Sequence, residues 1–413
     1  MARSLPNRRR FIQFTGLLAA GFQMRPCGAA ATPDEPLATW LHSSDFDTFV
    51  KEKMEMAHVL GASIAVVDKG RVVFSTGIGS ANVQGRWPMT SETIINIASV
   101  TKTITCAAVM QLFERGKFAL DDDVNAFLPF PVHNPDYPVD RITFRQLLTH
   151  TSSIGDGPSY GDSYACGDPQ TPLGTWLRDY LTPSGTHFDR ASNFHKWAPG
   201  KQYSYSNVAF GLLGFLVERL SGVGYAQYCD ENIFSPLRMN HTGFFLSRMN
   251  HALYATPYSY MKVADFPVAR LLDASWARPM NEKIVEAPLC LYSYPTLADG
   301  GGARSSASDL GSFLAMWVGG GSFNGVRILR EDTVALVLSD QIAPEVSNKG
   351  QRQGLTWVEY PSGIWGKYGS DPGIATLAKF RLSDRRGVVI LTNSDQGEAV
   401  TNAIAKRVFE YPA

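Results

Sequence analysis

The chain has 413 residues, 44% of them hydrophobic, which sets it apart from disordered sequences and allows two structural units, or one large unit carrying an insertion. Lys plus Arg and Asp plus Glu both number 38, so no net charge draws the chain toward nucleic acid or an anionic lipid surface. Neither is expected as a partner.

The first 31 residues carry Arg3, Arg8, Arg9, Arg10 and Arg25 and no acidic residue, which leaves the remainder mildly acidic. Asn7-Arg8-Arg9-Arg10-Phe11-Ile12-Gln13 precedes a moderately apolar stretch from Phe14 to Met24, and then the small residues Gly28 to Ala31. The segment resembles a bacterial twin-arginine export signal with an A-x-A cleavage site. It assigns residues 1–31 to a signal peptide read by export machinery, and leaves residues 32–413 as the mature, periplasmic or secreted domain. Cys27 lacks the leucine and small residues that should precede a lipidated cysteine. No later apolar run approaches the roughly 18 residues of a membrane span, Val208 to Val217 being the nearest, so no stable membrane anchor is expected.

Asp45 to Leu60 places Phe46, Phe49, Val50, Met54 and Ala57 at helical spacing. Ser63 to Val67 and Val72 to Ser75, separated by Asp68-Lys69-Gly70-Arg71, predict two strands and a tight hairpin. The middle of the chain is mostly helical, with Thr101 to Glu114, Phe144 to Leu148, Val208 to Leu220 and Ser308 to Val318. Between Gly155 and Pro199 lies a stretch rich in Gly, Pro, Asp and Ser, without strong periodicity, that is expected to rim an active site. Thr356 to Tyr360 and Ile364 to Tyr368 predict a strand pair. Ala375 to Leu382 and Val388 to Thr392 predict a hairpin, and Glu398 to Phe409 a closing amphipathic helix.

Strands at both ends and helices between them imply an α+β architecture: one antiparallel sheet, from about 45–95 and 350–410, flanked by terminal helices, with an inserted mainly helical part at about 100–300. Cys106, Cys166, Cys229 and Cys290 match no zinc spacing, and the histidines form no H-E-x-x-H. No metal and no cofactor is expected. Cys106 reads as a core residue, while Cys166 and Cys290 fall in loops where sequence leaves a disulfide open.

Chemistry is concentrated in three strings. Ser99-Val100-Thr101-Lys102 opens a helix, so Ser99 and Lys102 share a face, and Ser99 gains from the helix dipole and free N–H groups. Lys102 sits in an otherwise uncharged run and needs a reason to be there. Tyr205-Ser206-Asn207 precedes an apolar helix, and nearby ammonium groups would favour the Tyr205 phenolate. Lys367-Tyr368-Gly369, followed by Ser370, ends a strand along which a substrate backbone can lie. Together they supply a hydroxyl nucleophile, two amines and a phenol, a set able to make and break an acyl-serine bond without a histidine base.

With Leu147-Leu148-Thr149-His150-Thr151-Ser152, Ala198-Pro199-Gly200, Pro236-Leu237-Arg238-Met239, Gly300-Gly301-Gly302 and Ser305 to Asp309 in order, the chain resembles the serine β-lactamase-like family. That family includes class C β-lactamases, DD-peptidases and related esterases, and the resemblance runs from about Asp45 to about Phe409. It implies Ser99 as nucleophile, Lys102 and Tyr205 as proton-transfer partners, and Asn207 as a ligand for a substrate amide. It further implies Lys367, Tyr368, Gly369 and Ser370 along the substrate, and an oxyanion hole from the N–H groups of Ser99 and Ser370. His150 would be structural.

Gly157-Pro158-Ser159-Tyr160-Gly161 also fits the G-x-S-x-G nucleophile elbow, but its flanks suit neither the strand nor the helix that an elbow joins. Lysine at 367 leans toward a substrate carboxylate. Tyr368 stands where penicillin-recognising members have Thr or Ser, and its ring would crowd that carboxylate. Ser153 replaces a usual glycine. The expected function is an exported serine hydrolase acting through an acyl-enzyme on amide, β-lactam or ester bonds of a small-molecule or peptide-like substrate. Carboxylesterase and D-amino-acid peptidase are the rivals to β-lactamase, and a non-hydrolytic β-lactam sensor is the alternative from another class.

Overall fold

Strands that are apolar on both faces belong in the interior of a covered sheet, and two such runs stand near opposite ends of this chain. In the computed structural model, which describes residues 37–262, 271–272, 277–296, 302–347 and 350–412, these runs pair with each other. The signal segment, Cys27, Gly300 and Gly301 lie outside the described residues.

The principal elements, in chain order, are helix α1 (Ser44–Met56), strands β1 (Gly61–Asp68), β2 (Arg71–Asn82) and β3 (Trp87–Pro88), and helices α2 (Thr101–Glu114), α3 (Phe144–Leu148), α4 (Asn207–Ser221) and α5 (Ala307–Val318). Strands β4 (Val358–Tyr360), β5 (Ile364–Asp371), β6 (Ile374–Arg381) and β7 (Arg386–Thr392) and helix α6 (Glu398–Glu410) follow. Seven strands form one antiparallel sheet in the order β4-β5-β6-β7-β1-β2-β3. The join between the two chain ends is the β1–β7 ladder, from Ala62 opposite Thr392 to Val67 opposite Gly387. Helix α5 covers one face across β7, β1 and β2, while α1 and α6 pack on the other face and on each other. Ile64, Val66, Val389 and Leu391 are wholly buried, and each such side chain contributes roughly 1.5–3 kcal/mol.

The expected α+β architecture is what the chain adopts. Its first hairpin turns through Lys69 and Gly70 with φ of 48° and 77°; positive φ at both central residues is the type I′ geometry that suits a twisted ladder. Strand β2 runs seven residues past the expected end at Ser75, because Gly77 is a site of close approach and not a breaker: the backbone of Met89 and Thr90 crosses it where a Cβ would sit. Among the described residues, no single helix is long and apolar enough to cross a membrane.

Two expectations for the middle of the chain need correction. A small three-stranded sheet, Tyr258–Lys262, Ile284–Pro288 and Arg278–Pro279, stands within the part read as helical. The Gly155 to Pro199 stretch is not free of periodicity, because Leu173–Leu181 is a helix that buries Leu173, Trp176, Leu177, Tyr180 and Leu181. That is spacing i, i+3, i+4, i+7, i+8, hidden between Pro-rich and Gly-rich flanks.

Cys166 and Cys290 form a disulfide that closes a separation of 124 residues beside the paired strands Ala165–Cys166 and Tyr292–Ser293. Cys106 and Cys229 are free and buried, and burial pushes the Cys106 thiol up to about 12. Peptide mapping without reductant is expected to recover a Cys166–Cys290 pair, with Cys106 and Cys229 unlabelled by maleimide until the chain is unfolded. Replacing both Cys166 and Cys290 by serine should cost about 2–4 kcal/mol in urea unfolding, from the freedom restored to the denatured chain.

Candidate active site

Ser99 sits in a 3-10 turn, Ala98–Val100, that runs straight into α2. The turn is held from several sides. The Ala98 N–H donates to Asn96 Oδ1 at 2.8 Å, and the Thr376 hydroxyl of β6 donates to the Ile97 carbonyl at 2.8 Å. Ala98 itself has φ of 46°, a left-handed conformation unusual for a residue with a Cβ, directly before the serine.

One helical turn on, Lys102 is fully buried. An enclosed amino group must find acceptors: its Nζ lies 3.3 Å from Ser99 Oγ and 2.7 Å from Asn207 Oδ1. Tyr205, at the foot of α4, brings its hydroxyl to 2.6 Å from Ser99 Oγ. The Tyr205 ring is flanked by both amines, with Lys102 Nζ 4.8 Å and Lys367 Nζ 5.2 Å from its centroid. The neighbouring Tyr203 packs against His150 instead, with ring centroids 5.8 Å apart.

Lys367 reaches this group from β5 and donates to the Thr356 carbonyl at 3.4 Å. Thr356 carries a left-handed backbone, φ 74°. Burial, and then the charge of Lys102, hold the Lys367 ammonium well below the usual lysine range.

Strand alternation decides which β5 residues face Ser99. Lys367 and Gly369 stand opposite Ala378 and Thr376 on the face that meets the serine turn. A Cβ on Gly369 would lie 2.6 Å from the Ile97 carbonyl oxygen and 3.0 Å from Ala98 Cβ, so only glycine lets β5 lie this close. Tyr368 is a correction to the sequence reading. It projects from the opposite face, with Lys379 Nζ 5.2 Å from its ring centroid and α6 beside it at Glu398 and Thr401. Its ring therefore does not crowd a substrate carboxylate, and Tyr368 is not among the residues gathered around Ser99. Ser370 is exposed, one residue past Gly369.

His150 is buried, with Nδ1 accepting the Ser206 N–H at 3.2 Å and its ring 4.2 Å from that of Tyr205. Burial and the two lysines hold it well below the usual imidazole range, which keeps it a neutral wedge behind the tyrosine. Ser153 has φ of 65°, which explains why glycine suits that position, and its hydroxyl accepts from Asn134 Nδ2 at 2.9 Å. Contrary to expectation, Ser159 lies in a short helix, Pro158–Asp162, but no strand leads into it and its hydroxyl donates to the His187 carbonyl at 3.3 Å. Among the described residues, no group of three or more His, Cys, Asp or Glu is arranged to hold a metal ion.

Two carboxyls at the site escaped the sequence reading. Asp156, the lone charge between His150 and Asp162, accepts hydrogen bonds from Ser206, Asn207 and Val208. That isolation among small and apolar residues was the available signal. Asp371, two residues past Gly369 on the same strand face, accepts from the Tyr164 hydroxyl at 3.1 Å and the Tyr294 hydroxyl at 3.3 Å. Tyr164 and Tyr294 are far away in sequence, and nothing local announces them.

The β-lactamase family model matches residues 46–411. Protein Rv1367c of Mycobacterium tuberculosis is 28% identical over 327 residues, covering 75% of each chain. Protein flp of Staphylococcus aureus is 30% identical over 198 residues, 48% of this chain and 37% of that protein. Among solved structures, the octameric penicillin-binding protein homologue from Pyrococcus abyssi superposes with a TM-score of 0.66 at 27% identity, over 89% of this chain and 77% of that one. D-alanine carboxypeptidase AmpC from Burkholderia cenocepacia shares the fold, with a TM-score of 0.66 at 21% identity over 89% and 99% of the two chains.

Burial raises the Asp371 carboxyl from 3.8 to about 7. An acid whose folded pKa is raised adds stability that is complete below its unfolded value and is lost as pH climbs through the folded one. Between about pH 4 and 7 this residue should therefore weaken the fold by up to a few kcal/mol. Asp371→Asn removes that dependence. The melting temperature of wild type minus Asp371→Asn is expected to be several degrees more positive at pH 5 than at pH 8, as read by differential scanning calorimetry.

Proposed function

The chain belongs to the β-lactamase family of serine hydrolases, and from that membership and the geometry around Ser99 we propose that it is an exported hydrolase cleaving amide, β-lactam or ester bonds through an acyl-enzyme. The observation that carries this reading is the pair of contacts on one oxygen: Tyr205 at 2.6 Å and Lys102 at 3.3 Å from Ser99 Oγ. A serine hydroxyl is a weak nucleophile until a neighbour takes its proton. Here Ser99 Oγ bonds to the substrate carbonyl carbon as its proton leaves toward Tyr205 and the Lys102 amine. The tetrahedral intermediate collapses when Tyr205 returns a proton to the leaving nitrogen or oxygen. Water then attacks the ester, releases the acid and restores Ser99.

Charge that develops on the carbonyl oxygen would be met by the N–H groups of Ser99 and Ser370. The close approach of β5 to the serine turn at Gly369 supports this, since it brings the Gly369–Ser370 backbone beside Ala98 and Ser99. Asn207, held on Lys102, has a side-chain amide suited to a substrate amide. A carboxylate on the substrate would meet Lys367 and offset the low charge that burial imposes on it.

A second reading, carboxylesterase, has its own support: Lys367 is 6% exposed and already engaged with Thr356, which favours a supporting role over recognition of a carboxylate. Export is part of the proposal, and the Cys166–Cys290 disulfide suits an oxidising compartment.

A chromogenic cephalosporin and a p-nitrophenyl ester offered to wild type should give turnover of at least one, with kcat/KM reduced by at least about a thousandfold in Ser99→Ala and little changed in Ser159→Ala. Loss in Ser159→Ala with retention in Ser99→Ala would overturn the assignment. Turnover of the ester alone would favour the second reading. In cell fractionation, Arg8→Lys combined with Arg9→Lys should hold the protein in the cytoplasm.

A further inference from the structure

The start of α4 carries both Tyr205 and Asn207, the two residues that reach across to Ser99 and Lys102, so whatever fixes that short segment fixes the site. Every backbone N–H from Ser206 to Ala209 has an identified acceptor. Ser206 N–H donates to His150 Nδ1 at 3.2 Å, Asn207 N–H to Asp156 Oδ2 at 2.8 Å, Val208 N–H to Asp156 Oδ1 at 3.0 Å, and Ala209 N–H to Ser206 Oγ at 3.1 Å. The Ser206 hydroxyl in turn donates to Asp156 Oδ1 at 3.0 Å. One carboxylate thus takes two of the four N–H groups and holds the side chain that takes a third.

We infer that Asp156 is a positioning residue of the acyl-transfer site: its carboxylate sets the Tyr205 hydroxyl on Ser99 and the Asn207 carbonyl on Lys102, and supplies the negative charge that the enclosed Lys102 faces. The inference rests on the reading of Ser99 as nucleophile. Its first support is the donor set. Three donors converge on Asp156, which suits an ionised, acceptor-only carboxylate and does not suit an amide. An asparagine would present one oxygen and one NH2, and the NH2 would confront an N–H or the Ser206 hydroxyl. Its second support is placement, because a carboxylate at the N-terminus of the 15-residue α4 is favoured by the helix dipole. The third is charge balance. Lys102 and Lys367 both lie in the buried wall of the site; burial raises the Asp156 carboxyl, and its three hydrogen bonds and the charge of Lys102 pull the other way, toward the carboxylate.

Positioning on this scale matters to rate, since small displacements of reacting groups cost roughly 100-fold. The groups that face Asp156 and Lys102 are Lys367 from β5, Tyr205 and His150 beside α4, Tyr180 and His195 from the 155–199 stretch, and Asp371 at the end of β5. Only the Asp156 charge changes in Asp156→Asn. A carboxylate near an ammonium favours its charged form, so removing it makes Lys102 easier to deprotonate. The acidic limb of the pH–rate profile should then move to lower pH.

The experiment compares wild type, Asp156→Asn and Ser206→Ala with p-nitrophenyl butyrate, each normalised to active sites titrated with a fluorophosphonate. Asp156→Asn is expected to lose roughly 10- to 100-fold in kcat with KM within about twofold, and to show the shifted acidic limb. Ser206→Ala keeps the charge and two backbone bonds. It should lose roughly 3- to 10-fold in kcat with the acidic limb in place, and it carries the test if Asp156→Asn does not fold. A lower melting temperature with kcat per titrated site unchanged in either variant would overturn the assignment and make Asp156 a structural cap only. Failure of wild type to label on Ser99 would overturn the serine reading and this inference with it, whereas normal labelling of wild type with unaltered variants would sink only the role of Asp156.

Discussion

The burial of one amino group governs the architecture around Ser99. Lys102 has no exposed surface, and a charge or a hungry donor taken out of water is costly unless acceptors are fixed around it. Its neighbours Ser99 and Asn207 come from two elements separated by more than a hundred residues, so the starts of α2 and α4 must abut. Everything that fixes those two helix starts serves this requirement. The strained Ala98 and the Asn96 and Thr376 side chains hold one, while His150 and Asp156 hold the other. The third wall, β5, can close only because Gly369 offers no side chain to the serine turn.

The sheet and the helices that cover it were largely legible, because they rest on local rules. Apolar runs such as Val388 to Leu391 announce buried strands, and Asp68-Lys69-Gly70-Arg71 announces a turn. Ser99 and Lys102 could be paired from their spacing, and Tyr205 from its place before an apolar helix. What escaped depends on contacts between distant segments. Tyr368 lies inside the Lys367-Tyr368-Gly369 string, but a strand sends alternate residues to opposite faces, so its neighbours in sequence are not its neighbours around Ser99. Gly77 lets β2 continue because the backbone of Met89 and Thr90 crosses it, a contact with a later segment that nothing local announces. Asp156 and Asp371 act through hydroxyls and N–H groups whose partners the chain order does not reveal.

The same residues show how charge is apportioned in this cleft. Two amines, two carboxyls, a phenol and an imidazole stand within a few side-chain lengths, and burial moves four of them unequally. His150 is driven toward neutrality, Lys367 is held low, and Asp371 is raised toward neutral pH. Burial raises the Asp156 carboxyl as well, against the pull of its three hydrogen bonds and of Lys102. Such a spread among close groups is how one site holds proton donors and acceptors side by side.

The β1–β7 ladder has a consequence for how the molecule comes into being. Residues some 330 apart, Ala62 and Thr392, are hydrogen-bonded neighbours at the heart of the sheet, so loop-closure entropy must be overcome before central pairing is rewarded. Topologies of this kind fold slowly relative to locally paired ones. Strand β5, which delivers Lys367, lies outboard of β6 and β7 and is joined to β1 only through them. A nascent chain with its serine and first lysine already made therefore has no completed cleft, and the capacity for chemistry arrives with the final fifty or so residues.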